Sequence, residues 1–218
     1  RRLHALQNVD ADIGLMTHFA NSDVAEDEQT RIQMQRFEQV VAKLSGARSL
    51  ANSAGVLEWP QSRAQWVRPG GLLYGISVIA GSHAAQFGFR PAMTLVSKLV
   101  AINRVGKGEA VGYAGDWICP EDMDIGVVQI GYGDGYPRSA PSGTPVLLNG
   151  RRAQIVGRVS MDLISIDLRG QADARVGDPV LLWGEGLPVE EIAAHAGTIG
   201  YELVCGMTRR VRFLEDEG

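Results

Sequence analysis

The sequence predicts an α/β segment followed by a mostly antiparallel β-domain. Before about Gly88, short apolar runs alternate with polar loops and with a helical pattern, which is typical of parallel β/α units. Beyond Gly88, short strand-like runs follow one another, and only one segment has the pattern of a helix. We therefore place a boundary between residues 84 and 92, and we divide the chain into residues 1–88 and residues 89–218.

The α/β segment begins with a predicted strand and a predicted helix. The apolar run from Asp12 to Phe19 predicts a strand that leads into His18 at its carboxyl end. Ser22 and Asp23 then offer an N-cap for a helix, and Gly46 is expected to end it. Four apolar residues between these limits recur at helical spacing: Phe37, Val40, Val41 and Leu44.

Two more predicted strands each precede residues suited to binding. Arg48 to Ala51 predicts a strand, followed by a turn at Asn52 to Gly55 and the start of a short helix at Val56 to Trp59. Trp66 to Arg68 predicts a third strand, which is followed by the turn Pro69 to Gly71. In parallel β/α barrels, ligand groups lie at the carboxyl ends of the strands. The candidate ligand-binding residues on this basis are His18, Asn52, Ser53 and Arg68.

The second segment is predicted to be rich in strands. Asn149-Gly150 lies between two apolar runs and predicts a two-residue hairpin turn. Val189 to Ala196, with Pro188 before it and Gly197 after it, is the one predicted helix. The predicted strands are Thr94 to Val105, Gly126 to Gly131, Pro145 to Leu148, Gln154 to Leu168 and Pro179 to Trp183.

Two glycine-rich turns in the second segment hold tyrosines. Tyr113 lies between Gly112 and Ala114-Gly115, and Tyr132 lies in the run from Gly131 to Arg138. Glycine allows a positive φ and a close approach of the backbone, so we expect both tyrosines in tight, exposed turns. Such turns are also common at strand ends, and the pattern alone leaves a structural role open. The glycine spacing does not match a dinucleotide-binding fingerprint.

Composition and charge argue against several kinds of partner. The net charge is −4 and the basic residues are scattered, so we expect no binding to nucleic acid. No apolar run reaches the ~18 residues needed to cross a bilayer, so we expect no membrane insertion. A structural metal is not expected either, because the histidines are dispersed: His4, His18, His83 and His195. A small molecule or another protein is the expected partner.

The cysteines indicate the compartment. Cys119 and Cys205 lack the spacing of a metal site or of a disulfide framework. Unpaired thiols suit a reducing compartment, and we therefore expect a cytoplasmic protein.

Several motifs in order along the chain resemble those of the alanine racemases. These enzymes use pyridoxal 5'-phosphate (PLP) and consist of a (β/α)8 TIM-type barrel and a C-terminal β-domain. The resemblance implies that residues 1–88 are the C-terminal half of such a barrel and that residues 89–218 are the β-domain. The motifs are THFANSD (Thr17 to Asp23), NSAG (Asn52 to Gly55), WVRPGGLLYG (Trp66 to Gly75), VGYAGDW (Val111 to Trp117), GYGDGYPR (Gly131 to Arg138), VGRVSMD (Val156 to Asp162) and GYELVCGMTRRV (Gly200 to Val211).

The resemblance does not cover the first half of the family, which contains the lysine that holds the cofactor as a Schiff base. The chain begins at Arg1 without an initiator methionine and is expected to be part of something longer. Lys43, Lys98 and Lys107 all lie outside the family's lysine motif. The resemblance thus implies the C-terminal portion of a racemase that interconverts L-alanine and D-alanine and supplies D-alanine for peptidoglycan.

Two alternatives stay open at this point. The isolated chain, without the Schiff-base lysine, could be an inert cofactor-pocket and dimerisation module. Within the enzyme class, a racemase that accepts a broader range of amino acids would have the same architecture.

The resemblance implies a catalytic role for three residues. Racemisation removes the α-proton from one face of a planar intermediate and returns it on the other, so it needs a base on each face. The resemblance implies that the family's lysine and Tyr113 are these bases. A free tyrosine has a pKa of about 10, so Tyr113 needs positive charge nearby, which a chain of contacts through His18 to Arg68 would supply. Arg68 would also face the cofactor's pyridine nitrogen and keep it unprotonated.

Further residues are implied to bind the cofactor and the substrate. Ser53 and the backbone N–H groups around Gly70 and Gly71 would hold the cofactor phosphate, with Asn52 beside them and Tyr201 as a further contact. The backbone N–H of Met161 would contact the substrate carboxylate. The channel by which the substrate enters would include three residues for which loop packing is the competing interpretation: Tyr132, Arg158 and Asp162. The resemblance also implies a homodimer with shared active sites.

Overall fold

The computed structural model describes residues 3, 6–10, 12–25 and 27–215. Arg1 and His4, which entered the sequence analysis, lie outside the described residues. The chain divides into two compact units, Arg1–Phe89 and Arg90–Gly218, and this division falls within the predicted boundary region of residues 84 to 92.

The first unit contains a three-stranded parallel sheet. Its strands are β1 (Leu15–Met16), β2 (Arg48–Asn52) and β3 (Trp66–Arg68), in that spatial order. The parallel pairing agrees with the predicted β/α pattern, but β1 is shorter than the predicted run from Asp12 to Phe19. One further backbone hydrogen bond extends the pairing of β1 with β2, since Thr17 N donates to the carbonyl of Ser49 at 3.2 Å.

Helix α1 (Glu28–Val41) begins later than predicted. Its N-cap is Asp27, whose carboxylate accepts a hydrogen bond from Gln29 N at 2.7 Å. The predicted cap at Ser22 and Asp23 is wrong, because the hydroxyl of Ser22 donates instead to Asn52 Oδ1 at 2.8 Å. The buried face of α1 packs on the sheet and forms the core of the unit, which comprises Phe19, Met34, Phe37, Val41, Leu50 and Trp59.

The predicted turn at Asn52 to Gly55 is also wrong. A helix, α2 (Ser53–Glu58), begins directly after β2, and the Asn52 side chain caps it by accepting a hydrogen bond from Gly55 N at 2.9 Å. Asparagine favours turns and helix N-caps for the same reason, since its short side chain bonds to nearby backbone N–H groups. A second short helix, α3 (Gly70–Leu73), follows β3 where a turn was predicted.

The second unit contains a closed antiparallel barrel, which agrees with the predicted, mostly antiparallel β-domain. The strands of this unit are β4 (Leu95–Val105), β5 (Ala110–Val111), β6 (Trp117–Ile118), β7 (Met123–Val128), β8 (Pro145–Leu148), β9 (Arg151–Val156), β10 (Ile164–Asp167) and β11 (Pro179–Trp183). The barrel strands lie in the spatial order β10-β7-β4-β11-β8-β9, and β5 and β6 form a separate two-stranded sheet.

The turn and cap signals of the second unit give mixed results. The hairpin at Asn149-Gly150 is confirmed, with φ of 50° and 77° at its two residues, as a two-residue turn between β8 and β9 requires. Helix α4 (Val189–Ala196) is confirmed as well. The predicted strand Gln154 to Leu168 is wrong, because the chain leaves the barrel between β9 and β10. Helix α5 (Gly200–Cys205) was not predicted.

The barrel interior is filled by apolar side chains. A Cβ atom on Gly126 would lie 2.6 Å from Leu99 Cδ1 and 2.9 Å from Ile166 Cγ1, so a glycine is needed in β7 for these neighbours to fit. Other fully buried side chains on the barrel strands are Leu148, Ile155, Ile164 and Leu182. No helix among the described residues is long and apolar enough to cross a membrane.

Candidate active site

Arg68, at the carboxyl end of β3, forms hydrogen bonds with β2 and with the residue that follows β1. It is the last residue of β3, and its Nη1 donates to Ser49 Oγ on β2 at 2.5 Å. Its Nη2 donates to the carbonyl of Thr17, just after β1, at 2.8 Å. The same nitrogen lies 3.4 Å from Nδ1 of His18. Arg68 and His18, which are far apart in sequence, are therefore neighbours at one edge of the sheet.

The Nε–H of Arg68 is a spare donor. Both terminal nitrogens are used by β1 and β2, whereas Nε has no hydrogen-bond acceptor among the described residues. A guanidinium carries only donors and stays charged at any relevant pH. Arg68 can therefore be held rigidly by the sheet and still offer a donor to a ligand.

Ser53 and Gly71 bring the starts of α2 and α3 together. The side chain of Ser53 is buried, and its Oγ accepts a hydrogen bond from Gly71 N at 3.1 Å. Ser53 follows β2 directly, and Gly70 follows β3 after Pro69. Both residues therefore lie just after the carboxyl end of a strand. The oxygen of Asn52 already accepts from Gly55 N and from Ser22 Oγ, so its observed role is to cap α2.

Tyr113 lies in a turn with left-handed backbone on both sides. Gly112 has a φ of 81°, Ala114 a φ of 62° and Gly115 a φ of 60°. A positive φ is unfavourable for alanine, so the turn is strained at Ala114. The Tyr113 side chain is 70% exposed, as the glycine-flanked pattern predicted.

The loop between β9 and β10 supports this turn. A Cβ atom on Gly112 would lie 3.1 Å from Arg158 N, so the two backbones are in close contact. Asp116, at the end of the turn, forms an ion pair with Nε of Arg158. Arg158 and Asp116 also line a cavity of about 350 Å³ together with Arg138. Arg158, which was predicted to line the substrate channel, therefore stabilises the Tyr113 turn.

Tyr132 and Met161 lie on two loops that are bonded to each other. Tyr132 N donates to the carbonyl of Ser160 at 3.0 Å, and Gly133 N donates to the carbonyl of Met161 at 2.8 Å. A Cβ atom on Gly131 would lie 2.2 Å from Ser160 O, so this contact requires glycine. The backbone N–H of Met161 itself has no acceptor among the described residues, which leaves it available to a ligand.

Asp162 is ion-paired with Arg210, a residue that the sequence analysis did not select. Arg210 also reaches Asp134, with Nε 3.2 Å from Asp134 Oδ1. Arg210 lies in the last motif, TRRV, beside Arg209, and the sequence gives no signal that separates the two arginines. Tyr201 lies on α5, the helix that was not predicted.

Tyr136 is a structural residue rather than a site residue. Its ring is buried and stacks on Trp183, with ring centroids 6.0 Å apart. Burial raises the pKa of its hydroxyl well above the usual value, so it stays protonated. Of the tyrosines in the two glycine-rich turns, Tyr113 and Tyr132 are therefore the ones exposed to a ligand.

Comparison with known proteins first defines the class. Residues 1–78 match the alanine racemase N-terminal domain, and residues 92–214 match the alanine racemase C-terminal domain. The fold of this family is a barrel domain followed by a β-domain. The first unit of the chain forms part of the barrel domain. The chain belongs to the alanine racemase family.

Individual relatives agree with this assignment. The chain is 55% identical over 210 residues to alanine racemase from Shewanella sp. strain MR-7, and 52% identical over 221 residues to that of Coxiella burnetii strain CbuG_Q212. These matches cover 96% and 99% of the chain but 59% and 61% of the relatives. The chain therefore spans about three-fifths of the length of the relatives it matches.

Solved structures give the same result in three dimensions. Biosynthetic alanine racemase from Pseudomonas aeruginosa matches 96% of the chain with a TM-score of 0.92 and 47% identity, and 58% of that protein is covered. Alanine racemase from Bartonella henselae with covalently bound pyridoxal phosphate matches 90% of the chain with a TM-score of 0.80 and 27% identity, and 55% of that protein is covered.

Proposed function

We propose that this chain is part of a PLP-dependent racemase that interconverts L-alanine and D-alanine by two-base proton transfer. The observation that carries the proposal is the position of Arg68 and His18 at the strand ends of a chain that is 55% identical to an alanine racemase. D-alanine made in this way would supply peptidoglycan. The experiment that tests the proposal is conversion of each pure enantiomer by the full-length protein with PLP, followed by chiral chromatography.

The residues at the strand ends fit PLP as the cofactor. Covalently bound pyridoxal phosphate is present in the Bartonella henselae relative. In this chain, the spare Nε donor of Arg68 suits an aromatic nitrogen acceptor, and the hydroxyl of Ser53 beside the N–H of Gly71 suits a phosphate. When bound, PLP supplies an electron sink that makes the α-proton of an amino acid acidic.

Arg68 would hold the pyridine nitrogen in its unprotonated form. Its guanidinium can donate a hydrogen bond to that nitrogen but cannot accept one, and its positive charge opposes a second positive charge nearby. The bonds to Ser49 and Thr17 keep the guanidinium in place while it does so. Because Nη2 also contacts His18, the same arginine would orient the imidazole ring.

Tyr113 would act as the base on one face of the substrate. To take a proton near neutral pH, its hydroxyl must first lose its own, and positive charge from His18 and Arg68 would favour that loss. Met161 would bind the substrate carboxylate through its spare N–H, and Tyr132, Arg158 and Asp162 would line the channel. Ser53, Gly70, Gly71 and Tyr201 would bind the cofactor phosphate, with Asn52 holding the start of α2 in position.

We further propose that the first unit is the C-terminal half of a (β/α)8 barrel and that the enzyme is a homodimer. Three parallel strands, each followed by a helical segment, support the barrel. The 70% exposure of Tyr113 in a single chain supports a role for it in the active site of the other subunit. The free state of Cys119 and Cys205 supports a cytoplasmic location.

A further inference from the structure

One short segment near the C-terminus contacts both loops that carry proposed substrate-facing groups. Thr208 N donates to the carbonyl of Asp134 at 3.1 Å, and Thr208 Oγ1 donates to the carbonyl of Gly133 at 3.0 Å. Arg210 N donates to Thr208 Oγ1 at 3.3 Å, so the Thr208 hydroxyl also bonds to the backbone of Arg210. Thr208 and Arg210 together hold the backbone of the loop that contains Tyr132.

The Arg210 side chain extends these contacts to the second loop. Its Nε lies 3.2 Å from Asp134 Oδ1, in the Tyr132 loop, and its Nη2 pairs with the carboxylate of Asp162, next to Met161. Asp134 is itself fixed, since its Oδ2 accepts from Gly131 N at 3.0 Å. One guanidinium thus joins two loops that are adjacent only in the folded protein.

The backbone of the Tyr132 loop is shaped to admit this side chain. A Cβ atom on Gly133 would lie 2.3 Å from Arg210 Nη1 and 3.0 Å from the carbonyl of Met161. A larger residue at position 133 would therefore displace either the guanidinium or the Met161 loop. The planar fork of arginine can donate to two carboxylates at once, whereas the single ammonium of lysine cannot reproduce that geometry.

We propose that Arg210 is a positioning residue that sets the distance between Tyr132 and the backbone N–H of Met161, and through it the affinity for the substrate carboxylate. This inference rests on the proposed function, in which Met161 binds the carboxylate. Arg210 does not touch the substrate. It acts by holding the Tyr132 loop and the Met161 loop in one relative position before the substrate binds.

Hydrogen exchange in the full-length protein tests the positioning role without any measurement of activity. Arg210→Gln should speed exchange of the Tyr132 and Gly133 amides, which donate to the Met161 loop, by about tenfold or more because local opening becomes easier. The matched control is Arg209→Gln, which removes the same charge from a neighbour that has no ion pair among the described residues. Arg210→Lys keeps the charge but not the planar fork, and it should give an intermediate effect.

Carboxylate binding tests the consequence for the substrate. Propionate is alanine without its amino group, and its dissociation constant for the PLP-loaded protein can be measured by calorimetry. Arg210→Gln should raise this constant by about tenfold and raise the KM of both enantiomers by the same factor, with a smaller change in kcat. Arg209→Gln should leave the propionate dissociation constant, KM and kcat within about twofold of wild type.

The outcomes separate this inference from the proposed function. If the wild-type protein does not racemise alanine, the proposed function fails, while faster loop exchange in Arg210→Gln would still establish the link between the loops. If the wild type is active but Arg210→Gln and Arg209→Gln have equal exchange rates and equal propionate affinities, the inference is overturned. A fall in kcat alone, with unchanged KM and propionate binding, would overturn it as well.

Discussion

Nη2 of Arg68 donates to the carbonyl of Thr17 at 2.8 Å and lies 3.4 Å from Nδ1 of His18. The guanidinium is therefore anchored on the backbone of the neighbouring segment and does not depend on His18 for its position. His18 is exposed and depends on Arg68 for its orientation instead. Substitutions at the two residues should consequently have different effects.

We expect Arg68→Glu to change the products of the reaction. A carboxylate at this position would favour a protonated pyridine nitrogen, which strengthens the electron sink and permits transamination. Pyruvate formed per racemisation event should rise, and it can be measured with a coupled lactate dehydrogenase assay. His18→Gln is the comparison, since it leaves Arg68 in place and should slow racemisation without raising pyruvate. An unchanged ratio in Arg68→Glu with PLP still bound would mean that Arg68 does not face the ring.

The β-domain contains an ion pair whose contribution to stability should depend on pH. Burial by itself would raise the pKa of Asp167, but hydrogen bonds from the guanidinium and backbone of Arg169 and from Gln154 outweigh it and hold the pKa below its usual value. A carboxylate whose pKa is lowered in the folded state stabilises that state above its unfolded pKa, which is about 3.9. The stabilisation is lost as the pH falls through the folded pKa.

Asp167→Asn should therefore cost more stability at pH 7 than at pH 3. We expect a loss of about 1 to 2 kcal/mol at pH 7, because hydrogen bonds to a charged group are removed. Urea unfolding at the two pH values measures the difference. Asp124→Asn is the control, since the pair of Asp124 with Arg104 is exposed and should contribute less than about 0.5 kcal/mol. An equal loss at both pH values would contradict the assignment.

Several strands, one hairpin turn and one helix of the β-domain could be predicted because their signals are local. Asn149-Gly150 fixes a hairpin by its own backbone preference, and Pro188 with Gly197 marks the ends of α4. The start of α2 was missed because Asn52 favours a turn and an N-cap alike. The folded structure decides between the turn and the helix. In it, the Ser22 hydroxyl bonds to Asn52, and α2 begins directly after β2.

The candidate site residues were selected from the ends of predicted strands, from glycine-rich turns and from motifs, all of which are local features of the sequence. Tyr113 and Arg68 lie in motifs that resemble those of the racemases, so their selection required no knowledge of contacts. Arg210 could not be selected, because its partners Asp134 and Asp162 are distant in sequence and Arg209 offers the same charge one residue earlier. Asp116 was not selected for the same reason, since only the fold brings it to Arg158.

Mixed dimers test whether Tyr113 serves the other subunit. One full-length subunit would lack the Schiff-base lysine of the family and the other would carry Tyr113→Ala, so that each homodimer is inactive. If Tyr113 acts across the interface, one site of the heterodimer has both defects and the other has none, and activity should return to up to about half the wild-type value. If Tyr113 acts within its own chain, every site keeps one defect and the mixture stays inactive.

The central claim is that Tyr113 removes the α-proton on one face of the substrate and that the lysine acts on the other. The most direct measurement is the loss of α-deuterium from L-alanine and from D-alanine, followed separately by mass spectrometry in wild-type protein and in Tyr113→Phe. The matched control is Tyr74→Phe, which removes a hydroxyl from another exposed tyrosine and should leave both rates unchanged. Tyr113→Phe should slow the loss from L-alanine by about 10² to 10⁴ and affect D-alanine far less. Equal slowing for both enantiomers would contradict the assignment of one face to Tyr113.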